Sequence, residues 1–363
     1  MFLRTALPFN LKSFCATVVI VSPVGVFVFG IASQPLLAQV VDAPSSQKQN
    51  QDPETTEPID DVREFRNESG DVVAEGTLVR VRGNQVVIRD SNGIELLVAL
   101  AGLSEADRQW VADEIELRRI HGIARKKLEK INEDYLQSVK QSKVIAGLER
   151  ILRLGKEAPF AAPVAEEYLV DSNPVSVRAV AFATRTAVVP ASELNLQQAF
   201  ASMIDDQYGI NAELIGQPEN VIMAISTFGE MSLPYLKAVA FSGNVIPAGK
   251  APVAPAEPAI NLRKEQVVAR IAAVKAIATL SSTMELARQE ETLQTILQIL
   301  SSVEQAGGTV DPKSTIRACI SGFGTVGISN AEVLQKLNQF SSDPNYAKQV
   351  QRVRTRLERS PTQ

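Results

Sequence analysis

The residues from Gly322 to Gly327 have the GxGxxG spacing that can cradle the pyrophosphate of a dinucleotide. That chemistry needs a strand before the glycines, a helix after them and an acidic residue about twenty positions further on. In this chain a helical pattern precedes the motif. We interpret the glycines as a helix end and the turn that follows it, and we expect no nucleotide and no other cofactor.

Other residues that could support catalysis or metal binding are scarce. His121 is the only histidine, so a metal triad or a Ser-His dyad is not easily assembled, and we expect this side chain to be exposed. Adjacent acidic residues diverge on a helix, so we interpret the acidic pairs as surface charge. These pairs are Glu166-Glu167, Asp205-Asp206 and Glu290-Glu291. We predict no catalytic or metal-binding residues and no enzyme; an unrecognised hydrolase is the least favoured alternative.

The two cysteines do not indicate a redox or metal site. Cys15 lies in the apolar N-terminal segment, which leaves Cys319 alone in the remainder of the chain. No intramolecular disulfide and no zinc cluster can then form. Cys319 lies in an apolar helical pattern, and we expect it to be buried as a small hydrophobic residue.

Residues 62–113 combine strand alternation, two tight turns and a helix start. The β-branched residues around Gly83-Asn84 predict two strands joined by a hairpin turn, and Asn92-Gly93 predicts a second turn. Ser104 is placed to cap a helix in which the carboxylate of Asp107 can reach back to the cap. A sheet this small is marginal alone, so we expect the helix to cover one of its faces.

The order of these features resembles the first Sla homology domain, an SH3-like small β-barrel. The residues that carry the resemblance are Arg63-x-Phe65, Ser69-Gly70, Ala74-Glu75, Gly83-Asn84, Val86 to Arg89, Asn92-Gly93 and Leu103-Ser104-x-x-Asp107. That domain is known from an endocytic adaptor that links cargo to the actin cytoskeleton, where it binds Asn-Pro-Phe-x-Asp peptides, and similar segments occur in exported bacterial proteins. The resemblance implies a peptide-binding module over residues 62–113.

The resemblance also implies candidate binding residues, namely Arg80, Arg82, Arg89 and Asp90. The chain departs from the expected pattern just before the Asn-Gly turn, where Asp90 replaces a basic residue that would meet the acidic end of the peptide. Alternation along a strand predicts that Arg89 and Asp90 lie on opposite faces. The alternative is a small barrel that serves only as a packing module.

The N-terminus has the features of an export signal. Arg4 and Lys12 precede an apolar run over residues 14–32, and small residues at its end offer cleavage sites. We predict a signal peptide at 1–38, a disordered polar tether at 39–61, and a periplasmic or extracellular location. An uncleaved membrane anchor at 14–32 is the alternative, and only then do we expect contact with a membrane.

From Glu105 to Leu154, apolar residues recur at steps of three and four, with a shift near residues 141–143. We assign residues 114–157 to a long amphipathic helix. Its apolar stripe consists of Leu117, Ile120, Ala124, Leu128, Ile131, Tyr135 and Val139. Packing against the following helices is the favoured interpretation, and a homo-oligomer through a coiled-coil seam at 105–154 is the alternative.

Residues 166–360 contain a faint internal repeat. Val177-Arg178-Ala179-Val180 resembles Ile316-Arg317-Ala318-Cys319, and the aligned positions Thr184, Phe228, Leu280 and Phe323 are about 44, 52 and 43 residues apart. This spacing is close to that of two-helix HEAT-type repeats. We therefore predict a HEAT-like helical domain at 166–360, with an exposed Pro- and Ala-rich loop at 244–259.

The fold class predicted from these patterns is mainly α, with a small N-terminal SH3-like β-barrel and a C-terminal α-helical array (a HEAT-like solenoid). With a net charge of −4, the chain has no overall basic footprint, and we expect no nucleic-acid partner. We predict an exported, non-enzymatic adaptor or scaffold that binds a protein or peptide. A purely structural cell-envelope component, in which the β module only caps the array, is the alternative.

Overall fold

The computed structural model describes residues 62–249, 251–305 and 312–359. Over these residues the chain is mainly helical, with a small antiparallel sheet ahead of a helical array. The predicted order of a small β module followed by a helical array is therefore confirmed. The predicted signal peptide, tether and N-terminal anchor lie outside the described residues.

Four strands follow one another in a meander, in the order β1-β2-β3-β4. They are β1 (Arg63–Arg66), β2 (Val72–Arg82), β3 (Gln85–Arg89) and β4 (Glu95–Ala99). The predicted Gly83-Asn84 turn joins β2 to β3 and is confirmed, with Gly83 at a φ of +64°. The second turn is also confirmed: the N–H of Gly93 donates to the carbonyl of Asp90 at 3.0 Å, and Gly93 has a φ of +81°.

Strand β2 pairs with two neighbouring strands. Its first half pairs with β1 and its second half pairs with β3. The change of partner occurs at Gly76, where a Cβ atom would lie 2.1 Å from the carbonyl oxygen of Arg89. Only glycine allows this close approach. A bulge between Leu78 and Arg80 then bends the strand further.

The inner face of the bent sheet packs on the first helix, α1 (Glu105–Ile131). The resulting small core contains Phe65, Ala74, Leu78, Val86, Ile88, Leu103 and Val111. Trp110 meets the ring of Phe65 edge to face at 5.6 Å between centroids. The strands and the first turns of α1 together form the β module, and the prediction that this helix covers the sheet is confirmed.

The predicted helical run at 114–157 is divided in two. Helix α1 ends at Ile131, a single π-helical turn follows at Asn132–Leu136, and α2 (Gln141–Leu152) begins where the sequence pattern shifts. Ala124 and Ile131 are buried in the core of the array, whereas Val139 is fully exposed in the break. The part of the stripe from Ala124 to Tyr135 thus packs on the following helices, whereas Leu117 is 40% exposed.

The array continues with eleven further described helices. They are α3 (Ala162–Glu166), α4 (Val175–Val188), α5 (Glu193–Ile204), α6 (Asn211–Gly216), α7 (Glu219–Ser226), α8 (Leu233–Ser242), α9 (Lys264–Ser281), α10 (Leu286–Gln305), α11 (Pro312–Val326), α12 (Ala331–Ser341) and α13 (Ala347–Arg359). None of the helices in the described ranges has both the length and the apolar character needed to cross a bilayer.

Helices α2, α4, α7, α9, α11 and α13 contact one another in that order and form a central row. The four positions aligned as a repeat in the sequence fall along this row. Thr184 lies in α4, Phe228 two residues after the end of α7, Leu280 in α9 and Phe323 in α11. Serial packing of this kind is what an α-solenoid predicts, whereas the assignment to HEAT repeats stays a prediction.

The loop between α8 and α9 is fastened to the array at its end. The buried guanidinium of Arg270 donates to the carbonyl oxygens of Ala240, Phe241 and Ala259 at 2.6 to 2.8 Å. Two of these carbonyls belong to the last turn of α8, so one side chain caps that helix and holds the loop. Val253, at the middle of the loop, is 82% exposed.

Candidate peptide-binding face of the β module

The register of the sheet brings three of the four predicted binding residues onto one surface. Side chains of partner residues in neighbouring strands lie on the same face of a sheet. The surface that turns away from α1, called the outer face here, has three rows: Thr77, Arg89 and Glu95; Arg80, Val87 and Leu97; Arg82, Gln85 and Ala99. Arg80, Arg82 and Arg89 therefore share the outer face, as the predicted binding site requires.

Glu95, a residue that the sequence reasoning missed, lies among these arginines. Its carboxylate accepts from Arg80 Nη2 at 3.1 Å and from Arg89 Nη2 at 3.2 Å. Arg82 makes no ion pair with any described residue. The outer face therefore holds more positive than negative charge. Glu95 lies opposite Arg89 and directly after a turn, and this position in the predicted hairpin is the sequence signal that could have identified it.

The outer face is open to solvent. The side chains of Arg80 and Arg89 are 57% and 44% exposed, and Leu97 is 59% exposed. Val87 lies beneath them and is buried. An exposed leucine beside paired arginines offers both an apolar contact and charge-assisted hydrogen bonds, which are the two contributions a short acidic peptide can use.

The fourth candidate, Asp90, stabilises the turn that follows β3. Strand β3 ends at Arg89, and Asp90 opens the turn that follows it. Its Oδ1 accepts from the backbone N–H groups of Asn92 and Ile94 at 2.9 and 2.8 Å. An aspartate at a turn commonly satisfies the turn's own N–H groups, and the placement of Arg89 and Asp90 on opposite faces stays a prediction.

A buried carboxylate fixes α1 against the sheet. Asp107 is 4% exposed, and it accepts from the backbone N–H of Arg66, from the guanidinium of Arg63 and from the hydroxyl of Ser104. Burial raises the pKa of Asp107, but these hydrogen bonds outweigh burial and hold the pKa below its ordinary value. The predicted contact between the cap and this carboxylate is confirmed.

A second polar contact ties α1 to the bulge in β2. The guanidinium of Arg118 donates to the carbonyl oxygens of Leu78 and Val79 at 2.8 and 2.9 Å. These carbonyls lie where the bulge interrupts the β2–β3 ladder. Arg118 also pairs with Glu114 at 2.8 Å, which holds its side chain in place. The bend that shapes the outer face is thus supported from behind by α1.

The residues first considered for chemistry have structural environments. Cys319 is buried, as predicted, and burial raises the pKa of its thiol to about 12. The prediction that His121 is exposed is wrong in degree, since its ring is partly buried against Phe160, and burial, with Arg125 nearby, lowers its pKa. No group of three or more potential metal ligands occurs among the described residues.

The glycines of the GxGxxG motif divide between two roles. Gly327, at a φ of +85°, follows the end of α11 as predicted. Gly322 and Gly324 instead lie inside the helix, where a Cβ atom would come within 3.0 Å of Ile296 and 3.1 Å of Val353. They allow α10 and α13 to approach α11 closely, so the interpretation of these two as a helix end is wrong.

A cavity of about 560 Å³ lies in the array between α8, α10 and the loop that precedes α9. Its floor is apolar and includes Leu233, Phe241 and Ile277. The charged residues at its rim pair with one another: Arg288 with Glu230 and Glu291, and Lys237 with Glu291. The rim thus shows no preference for a charged ligand, and the outer face is the stronger candidate.

The chain was compared with family models, curated proteins and solved structures, and none of them matches.

Proposed function

We propose that this chain is an exported, non-enzymatic adaptor whose β module binds short acidic peptides on its outer face, while the helical array acts as its scaffold. The observation that supports this proposal is the open outer face, with three arginines around a single carboxylate and an exposed leucine beside them. The resemblance of residues 62–113 to the first Sla homology domain supports the same ligand class. Export rests on the N-terminal sequence pattern.

Glu95 would occupy the position of a ligand carboxylate when no peptide is bound. It occupies the guanidinium groups of Arg80 and Arg89 while the face is free, and both ion pairs are exposed and hence weak. An acidic side chain of a peptide can share or replace these contacts, and Arg82 adds a cation without an ion pair among the described residues. An apolar residue of the same peptide would cover Leu97.

A labelled Asn-Pro-Phe-x-Asp peptide tests the proposal by fluorescence anisotropy on the purified full chain. The double variant Arg80→Ala and Arg89→Ala should weaken binding by about tenfold or more, because it removes two charge-assisted contacts. The matched control is Arg119→Ala, which removes an exposed, ion-paired arginine from the middle of α1. The affinity of this control should equal that of the unmodified chain.

Two results would contradict peptide binding by the outer face. One is the absence of saturable binding by the unmodified chain. The other is equal binding by the double variant and by the unmodified chain. A peptide whose aspartate is replaced by asparagine should bind more weakly, and this loss should disappear in the double variant if the arginines recognise the carboxylate.

A purely structural role in the cell envelope is a second proposal, supported by the way α1 joins both regions. Helix α1 contributes Val111 to the core of the β module and Ala124 to the core of the array. The module could on that basis serve as a cap on the array. Pull-downs with the full chain and with a chain lacking residues 62–113 separate the two roles. Only the adaptor role predicts specific partners that are lost on deletion.

A further inference from the structure

Strand β4 is the last strand of the sheet and pairs only with β3 among the described strands. Two hydrogen bonds fix which of its backbone groups face β3. Asp90 donates to the carbonyl of Ile94 at 3.0 Å, and Leu100 donates to the carbonyl of Asn84 at 2.8 Å. Hydrogen-bonded pairs alternate along an antiparallel ladder, so Leu96 and Val98 also bond to β3.

The alternate residues Glu95, Leu97 and Ala99 therefore direct their N–H and C=O groups away from the sheet. Proteins usually protect such an edge with lysine, proline, a bulge or a covering element. Strand β4 contains no lysine, no proline and no bulge. Its single charged residue, Glu95, is held by Arg80 and Arg89 on the outer face and leaves the edge itself free.

The side chains of β4 are unusually apolar for an edge. Leu97, on the outer face, is 59% exposed. Leu96, on the inner face in register with the buried Ile88, is nevertheless 37% exposed. An inner-face leucine that the module's own core leaves partly uncovered indicates that the core can be extended by a further strand beside β4.

We infer that β4 pairs antiparallel with β4 of a second copy of this chain, about a two-fold axis through Leu97. In this register Leu97 exchanges two hydrogen bonds with its counterpart, and Glu95 and Ala99 exchange two more on each side of the axis. All three residues with unpaired edge groups are then satisfied, and the two four-stranded sheets become one.

The side chains are compatible with this register and with few others. Glu95 faces the small Ala99 of the partner, so the two Glu95 carboxylates do not oppose each other. Leu96 faces the partner's Val98 on the inner face, which covers the exposed leucine. A shift of the pairing by two residues would place Glu95 against Leu97 or would move Glu95 beyond the end of the partner's β4. A shift by four would place the two Glu95 carboxylates opposite each other, so the register centred on Leu97 is favoured.

The association state of the full chain tests this inference by sedimentation equilibrium over a concentration series, since an interface of this size is expected to be weak. The unmodified chain should dimerise reversibly. Leu97→Lys and Leu97→Glu should each weaken the dimer by about tenfold or more, because each places like charges directly across the axis. The matched control is Ile123→Lys, at an exposed apolar residue of α1, which should leave the dimer unchanged.

An equimolar mixture of the Leu97→Lys and Leu97→Glu variants gives the sharpest result. The two chains should form a heterodimer, because opposite charges then meet at the axis, even though each variant alone is monomeric. At a concentration low enough for all the chains to be monomeric, the thermal unfolding of each variant should match that of the unmodified chain, since Leu97 is exposed. A monomeric unmodified chain, a dimer that both variants leave intact, or a mixture that stays monomeric would overturn the inference.

Discussion

The β module and the helical array are stabilised in different ways. The module has a small core around Phe65, and it relies in addition on the buried Asp107 and on Arg118 to hold its helix to its strands. The array has a much larger core of mostly aliphatic residues, in which Gly322 and Gly324 let neighbouring helices approach closely. The module therefore depends on a few polar and backbone-specific positions, whereas the array depends mainly on packed volume and has local polar contacts such as those of Arg270.

This difference bears on function, because the module's polar contacts lie behind the sheet. Asp107 and Arg118 act from α1 on the inner side, whereas Arg80 and Arg89 on the outer face make only exposed, weak ion pairs. The two regions can also be followed separately. Trp110 is the only tryptophan in the chain and lies in the module, whereas most of the helical signal in circular dichroism comes from the array.

The largest effect is expected for Phe323→Ala in the array. Phe323 is fully buried in α11, and removing its ring should leave a cavity that costs about 3 to 5 kcal/mol of unfolding free energy. Urea titration followed by circular dichroism measures this loss. Leu334→Ala on α12, where the side chain is 45% exposed, is the control and should cost less than about 1 kcal/mol. If Trp110 fluorescence shifts as far as the helical signal, the two regions unfold as one unit and the contrast between them is lost.

A comparable effect, confined to the module, is expected for Gly76→Ala. The added methyl group would lie 2.1 Å from the carbonyl oxygen of Arg89, so β2 and β3 must separate. We expect a loss of about 3 kcal/mol or more, seen as an earlier Trp110 fluorescence transition with little change in circular dichroism. Gly102→Ala is the control, because a Cβ atom there meets nothing within 4 Å. Equal transitions for both variants would show that the close approach at Gly76 does not matter.

The features that were predictable from the sequence are local ones. The Gly83-Asn84 turn, the Ser104 cap with Asp107 and the burial of Cys319 each follow from residue types within a few positions of one another. The serial helical packing was visible because its repeat recurs along the chain, at positions such as Thr184 and Phe323.

The features that were missed depend on contacts between distant residues or on a competing local role. Gly76 is required by a carbonyl thirteen residues away, and Gly322 by a side chain of another helix. Asp90 satisfies a turn, which strand alternation does not take into account. For the binding face, the arginines could be selected from the sequence, but Glu95 joined them only through the register of three strands.

A smaller effect is expected for Asp107→Asn, again in the module. An amide can accept fewer hydrogen bonds than the carboxylate and would direct N–H donors at those of Arg63 or Arg66, so we expect a loss of about 2 to 4 kcal/mol. Trp110 fluorescence in urea measures it. The control is Asp113→Asn, an exposed aspartate of the same helix, which should change stability by less than about 0.5 kcal/mol.

The pH dependence of the same variant provides a second check. The folded pKa of Asp107 lies below its unfolded value near 3.8, so the unfolded state binds more protons between the two values. Its stabilising contribution is therefore present above pH 3.8 and is lost as the pH falls through the folded pKa. The difference in stability between the unmodified chain and Asp107→Asn should shrink over that acidic range. A constant difference would contradict the assigned hydrogen bonds.

The smallest effect at neutral pH is expected for Lys156→Met in the array. This variant tests whether a buried polar contact stabilises the array as Asp107 stabilises the module. The Lys156 ammonium donates to the carbonyl oxygens of Thr186 and Val189 at the end of α4 and lies 3.8 Å from the ring centroid of Phe228. Burial lowers its pKa to about 8. The variant loses these contacts but also removes the cost of burying a charge, and the two contributions should nearly cancel. We therefore expect the free energy of unfolding to change by less than about 1 kcal/mol near pH 7.

The sign of the pH dependence distinguishes this lysine from Asp107. The unfolded state binds more protons than the folded state between pH 8 and the ordinary value of 10.5, so the stability of the unmodified chain should rise over that range through Lys156. Lys156→Met should lack this rise, and the control Lys143→Met, at an exposed lysine of α2, should retain it. Urea titrations by circular dichroism across the range measure the difference. If Lys156→Met keeps the full rise, the rise does not come from Lys156. The array would then lack a titrating polar contact at this lysine comparable to that of Asp107 in the module.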